Sequence, residues 1–538
     1  MKRILPLLLI IACLGIIGCG RKKEPLLEAS RGLEIGFKEN VTSLDPRLGL
    51  TRPSNIVIRM LFEGLMRMNE QGQLVPGLAE RYEVSEDRLT YTFYIRSCHW
   101  SNGDPVTAHD FEFAWKRSIE PSSAQSGCSV FYPIKNVSRC VEGKAKIEEV
   151  GIKALTDRIL VVELEHPAPY FLELTTTTFF SPVPRRVVQE NKDWANGIDG
   201  NFVSSGPFRL RSWKRGSQMK LDRNPFYWNT DNVHISDISI KILPYEYDYL
   251  QLYEQHKLDW VGQPLTTISS EVIEKLQHVE HQTSVGLLAY FCNVDSYPLN
   301  NKHLRKALAY GINRKTIADY IFYAGGTPAQ SLLNPLLREG DKEVYFQDND
   351  AAKAALYLRI ALNELGMDLG DLPEIVLSYP NTQLQSRVAH EIQKQWKQNL
   401  GIVVKLDPMD KPRFFDMVLK GEHQIASTMW KGILLNPIHL LETMGSTLGT
   451  NVLTYWEDPE FAKLIEQIRC ETNPQKAQKL IGTAEAYLIE EMPIIPICFG
   501  SVCFSKNEHL KNVYVSPLFN VDFSQAYFLE EEQMRRVR

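Results

Sequence analysis

One apolar run constrains everything after it. Residues 4–17 are apolar apart from Pro6 and small residues, follow Lys2 and Arg3, and give way at Gly18-Cys19 to Gly20-Arg21-Lys22-Lys23. At about fourteen residues the run is too short to span a bilayer comfortably, which takes ~20. A basic start, a short apolar stretch and a small residue before the break mark a secretory signal peptide. No later run is long enough to cross a membrane, so the remainder is expected to fold in water, outside the cytoplasmic membrane. Its 538 residues, 44% hydrophobic and 23% charged, are ordinary for a globular chain and leave room for several domains. The net charge of −5 argues against broad nucleic-acid binding.

Cys19, directly after a small residue, resembles the lipobox of bacterial lipoproteins. The resemblance implies cleavage before the cysteine, a diacylglycerol on its sulfur and a membrane anchor made of acyl chains rather than basic residues. Residues 1–18 are then the signal peptide and 19–30 a lipidated tether. The cysteines left, at 98, 128, 140, 292, 470, 498 and 503, are odd in number, so at least one is unpaired or pairs between chains. Cys128 with Cys140, and Cys498 with Cys503, are near enough in sequence for an oxidising compartment to join them.

The body of the chain alternates two periodicities. Leu89, Tyr91, Phe93 and Ile95 alternate with polar residues, as in a half-buried strand, and residues 32–37, 158–165, 219–222 and 235–243 read as further strands. Thr107 with Asp110 is a capping-box start, after which Phe111, Trp115 and Ile119 line one helix face and Pro121 ends it. Residues 350–365 form a helix opened by Asp350 and stopped by Gly366; residues 386–400 form another, stopped by Gly401. Asp458-Pro459 and Asn473-Pro474 are two cap-plus-proline starts. The class is mixed α/β, strand-rich first and helix-rich over residues 300–490.

No motif points to catalysis. GxGxxG, P-loop, HExxH and GxSxG are all missing. His278 and His281 form an i, i+3 pair, read as two surface histidines on a helix rather than as metal ligands. Arg535-Arg536-Val537-Arg538 reads as a solvated tail. Neither an enzyme nor a cofactor is expected.

The stretch GLAERYEVSEDRLTYTFYIRSCHWSNGDPVTAHDFEFAWKR, ending at Arg117, resembles the signature region of the peptide/nickel family (family 5) of extracytoplasmic solute-binding proteins. Ser43-Leu44-Asp45-Pro46, Leu61-Phe62-Glu63-Gly64-Leu65, Ser181-Pro182-Val183-Pro184, Ser205-Gly206-Pro207-Phe208, Asn224-Pro225-Phe226-Tyr227-Trp228 and Leu304-Arg305-Lys306-Ala307-Leu308 extend the likeness along nearly the whole mature chain. The resemblance is to the oligopeptide binders among these importers' lipoproteins.

It implies a three-domain periplasmic-binding-protein-like fold, whose two lobes close on a ligand cleft by hinge motion. Domain I would be discontinuous, over 31–62, 198–285 and 498–538; domain II would cover 63–197 and domain III 286–497. The cleft tryptophan of the oligopeptide binders aligns with Trp430, and the aspartate that takes the peptide's α-amino group falls at Ile433. An arginine for the far carboxylate falls at Ser427, a histidine near Gln385 and a cleft glutamate near Phe291. Tyr290, Asn436 and Arg413 are further cleft candidates. A buried ammonium needs a counter-charge. Either another acid serves, with Asp407, Asp410 and Asp416 nearby in sequence, or the ligand is less charged, such as a modified or cell-wall-derived peptide.

The expected function is therefore that of a lipid-anchored extracytoplasmic receptor, monomeric, which passes peptides to an ABC permease and its ATPase subunits. Two other readings are a receptor for a non-peptide solute such as a metal chelate or haem, and a chaperone or sensory lipoprotein on the same scaffold.

Overall fold

The computed structural model describes residues 31–121, 127–197, 202–321, 325–338, 344–445 and 453–529. The signal peptide, the tether with Cys19 and the terminal arginines lie outside them. Three principal sheets organise these residues. In the first, Leu33–Phe37 runs parallel to Asp237–Ile242, which is followed by Gln218–Arg223 and Phe208–Lys214 in antiparallel order. The chain thus returns after some two hundred residues to complete a sheet begun at its start. The second is antiparallel and local: Ala79–Val84, Thr90–Ile95, Ile159–Glu163 and Ile152–Thr156. The third is the largest. It places Trp260–Gly262, Ile494–Lys506, Glu280–Cys292, Ile425–Trp430, Val376–Pro380 and Lys405–Met409 side by side.

The helices begin and stop where the capping chemistry puts them. Thr107 and Asp110 close a capping box over Ala108–Ile119, with the Thr107 N–H donating to Asp110 Oδ2 at 2.8 Å. Ala351–Leu365 opens at Asp350, whose carboxylate accepts the Lys353 N–H, and ends on Gly366 at φ +65°. Gln383–Leu400 starts three residues earlier than its apolar spacing indicates, because Thr382 supplies the cap. Pro459–Cys470 and Pro474–Glu491 follow Asp458 and Asn473. The His278/His281 pair is not helical. His281 already belongs to the strand Glu280–Cys292, and its Nδ1 lies 3.3 Å from Cys503 Sγ on the paired strand. The seven cysteines of the described residues are free thiols, so neither sequence-adjacent pair is bonded.

Two strands tie the molecule together. Glu280–Cys292 and Ile494–Lys506 are each 13 residues long and pair antiparallel, with register irregularities between Thr283 and Leu287 and between Leu288 and Ala289. Gly286 sits in the first break. Its N–H donates to Ser284 Oγ at 3.0 Å, and a Cβ there would meet Phe519 at 3.1 Å. Buried Arg314 fastens the helix Arg314–Tyr320 to the same ribbon, donating to the Pro496 carbonyl at 2.6 Å and the Ala309 carbonyl at 3.0 Å, and pairing with Asp348 at 3.2 Å. The main core runs through all three sheets.

Candidate functional site

A cavity of about 110 Å³ opens where distant stretches of the chain meet: residues 59–68, 173–181, 433–435 and 514–524, together with Pro207 and Tyr227. Arg59 comes from the helix Arg52–Leu61, Glu173 from the short helix Phe171–Leu174, and Ile433 and Leu435 from the loop after the strand Ile425–Trp430. Leu518 and Asp522 close the wall from the C-terminal segment.

Most of the charges here are balanced. Arg67 lies 3.8 Å from Glu63 and donates to the Tyr227 hydroxyl at 3.2 Å. Glu63 also accepts the Trp228 indole N–H at 3.1 Å; burial still raises its carboxyl above the ordinary range. Arg59 donates to Asn55 Oδ1 at 3.1 Å and the Thr176 carbonyl at 3.4 Å; burial lowers its pKa, and the nearby Asp522 carboxylate opposes that. Glu173 differs from the others. Its Oε1 accepts the Leu435 N–H at 2.5 Å, and burial pushes its carboxyl up to about 7 with no cation opposing the shift.

The same two segments are joined a turn away. The Tyr170 hydroxyl donates to Glu442 Oε2 at 2.6 Å, and Arg469 Nε donates to Glu442 Oε1 at 2.7 Å. The His439 ring packs 5.0 Å from Tyr170, and burial lowers its pKa to about 4. A group of cations lies beside the cavity. Lys431 Nζ stands 3.8 Å from the centre of the Phe519 ring and the Arg52 guanidinium 5.7 Å from it. Burial, reinforced by Arg52 and Lys411, lowers the Lys431 pKa to about 7.

Of the eight residues nominated from sequence, Ile433 lines the cavity. Trp430 is buried opposite Leu287, in the core beneath the loop that carries Ile433. Ser427 and Gln385 are buried and face each other, the Ser427 hydroxyl donating to Gln385 Oε1 at 2.7 Å. Tyr290 lies opposite Ser427 and meets Trp396 edge-on at 5.9 Å, which makes it part of the packing under the helix Gln383–Leu400. Phe291 is core, paired with Ala426. Asn436 caps Pro437–Met444, and Arg413 is exposed on Lys411–Leu419. None of the three suggested substitute acids reaches the cavity. Asp407 is near Ser378 Oγ at 3.4 Å, Asp410 caps the helix Lys411–Leu419, and Asp416 pairs with Lys420 at 2.7 Å. The sequence reading missed Glu173. Its one signal is isolation: from Pro167 to Pro184 it is the only charged side chain.

A cavity that gathers widely separated segments of an α/β chain is the kind of site in which a binding protein holds a solute. The chain belongs to family 5 of the bacterial extracellular solute-binding proteins; residues 73–451 match the model of that family's middle region. It is a binding protein of transport systems and not an enzyme. It is 36% identical over 532 residues to the oligopeptide-binding protein OppA of Bacillus subtilis, covering 97% of each chain. It is 30% identical to the dipeptide-binding protein DppE of the same organism, covering 92% of this chain and 91% of that one. Haemophilus influenzae OppA, solved in complex with RPPGFSPFR, superposes with a TM-score of 0.77 at 25% identity, covering 94% of this chain and 100% of that one. These relatives are peptide-binding proteins. Among the described residues no helix is long and apolar enough to cross a membrane.

Proposed function

We propose that this protein is the extracytoplasmic receptor of an ABC importer, anchored through a lipid on Cys19, that encloses oligopeptides and delivers them to the permease. The observation that carries this reading is a cavity lined by segments far apart in the chain, in a protein 36% identical to an oligopeptide-binding protein. The proposed domains I (31–62, 198–285, 498–538), II (63–197) and III (286–497) put the cavity where all three meet. The chain passes between I and III near residues 285 and 497, inside the two long paired strands. The register break around Gly286 supports bending at that place.

An extended peptide can satisfy its backbone against cleft walls whatever its sequence, while roomy hydrated pockets take its side chains. Broad specificity suits such a receptor. The direct test is thermal stabilisation by short peptides. A ligand at ~100 times its Kd adds about 2.7 kcal/mol to the stability of the protein that binds it, a shift that a melting curve resolves easily. Melting that stays unchanged across a mixed peptide set rejects the peptide reading.

A further inference from the structure

Five charged side chains line the cavity, and one lacks a charged partner. Glu63 and Arg67 neutralise each other, and Asp522 faces Arg59. Glu173 has a backbone N–H on one carboxylate oxygen, and among the described residues no cation pairs with it. A carboxyl left so in a partly desolvated wall is costly to ionise. It is also poised to accept a cation that arrives with the ligand.

The surroundings narrow the kind of cation. Among the described residues no group of three or more His, Cys, Asp or Glu side chains could hold a metal ion, and a single carboxylate is a poor metal site. Leu435, whose N–H Glu173 accepts, lines the cavity together with Ile433 and Leu518, and apolar side chains lower the local dielectric and strengthen an ion pair. Thr176 also lines the cavity; its hydroxyl donates to the Glu173 carbonyl at 2.8 Å and so keeps lone pairs for another donor. A carboxylate without a counter-charge, hydroxyls in the same lining and apolar side chains among them suit a primary ammonium, a compact cation with three N–H donors.

We infer that Glu173 is the residue that takes the amino end of the bound peptide, its carboxylate pairing with the ammonium against the apolar wall formed by Ile433 and Leu435. This rests on the peptide reading and deepens it. The counter-charge comes from the segment around Phe171–Leu174, not from the loop carrying Ile433. Because Glu173 also accepts the Leu435 N–H, ammonium capture and the contact between these two segments share one carboxylate.

The test compares the full-length protein with its Glu173→Gln variant, using lysine-free peptides with free and N-acetylated amino ends, by calorimetric titration. Glutamine keeps an oxygen for the Leu435 N–H and removes only the charge. The expected result is a loss of at least ~10-fold in affinity for the free-amine peptide and no change for the acetylated one, with a melting temperature no lower than that of the unmodified chain. The pH profile adds a second readout. Free-amine affinity should rise with pH as Glu173 ionises and fall again as the peptide amine loses its proton; Glu173→Gln should remove the rising limb. The titratable groups that share the cavity wall with Glu173 are Tyr514, Arg59, Glu63, Arg67 and Asp522, and Lys431 stands beside it; burial raises the Glu63 carboxyl and lowers the Lys431 ammonium to about 7, so these two could mimic the limb. Glu63→Gln and Lys431→Met are therefore run in parallel, and both should keep the limb. Equal loss for both peptides, or loss for neither, overturns the role given to Glu173 while leaving peptide binding intact. Failure of the unmodified protein to bind any peptide overturns the peptide reading and this inference with it.

Discussion

The Ser427 hydroxyl donates to Gln385 Oε1 at 2.7 Å, joining the strand Ile425–Trp430 to the first turn of Gln383–Leu400. Two positions nominated for the ligand's carboxylate therefore satisfy each other inside the fold. Ser427→Ala removes a buried donor and leaves the Gln385 oxygen without it. Denaturant titration should show a loss of about 1–2 kcal/mol, while peptide affinity should stay unchanged. A large drop in affinity at constant stability would return Ser427 to the binding site.

Arg314 is fully buried, and burial lowers its pKa to about 10 although Asp348 lies beside it. Arg314→Met strands Asp348 and leaves the Pro496 and Ala309 carbonyls without their donor. The expected cost is about 3–5 kcal/mol, measured by chemical unfolding. A loss below ~1 kcal/mol would mean that the guanidinium contributes little to holding its helix on the ribbon.

Lys431 gives a prediction with a definite sign. Its pKa is about 7 in the folded protein and 10.5 ordinarily, so the unfolded chain binds the extra proton between those values. Stability therefore rises with pH across that window, and the charging penalty is fully present below pH 7. Lys431→Met should melt higher than the unmodified chain at pH 6, by an amount on the order of 1–3 kcal/mol, and the difference should shrink toward pH 10. A pH-independent difference would rule out this linkage.

Hinge bending between the proposed lobes predicts a change of size. Small-angle scattering should show a smaller radius of gyration when a peptide shown to bind is added. Identical scattering profiles at saturation would exclude closure as the mechanism.

Local structure was legible because its causes are local. Thr107 with Asp110, and proline directly after Asp458 and Asn473, act within one helical turn, and those helices form as their caps dictate. The site was less legible for two separate reasons. Along Ile425–Trp430 successive side chains point to opposite faces, so an alignment can name position 427 without showing that it faces the helix rather than the cavity. Glu173 acquires its meaning from Ile433 and Leu435, some 260 residues away, and no periodicity spans that distance. Its isolation in an uncharged run was the sole trace.

Glu280–Cys292 and Ile494–Lys506, at ~3.3 Å per residue, make a two-ply band about 43 Å long. Because its plies are paired on both sides of the break at Gly286, the band resists shear and independent swivelling of its ends, yet can fold across its thin direction. Hinge motion of the proposed lobes would then follow essentially one coordinate. A membrane partner that touches both lobes would need to gauge only one angle to tell a loaded receptor from an empty one.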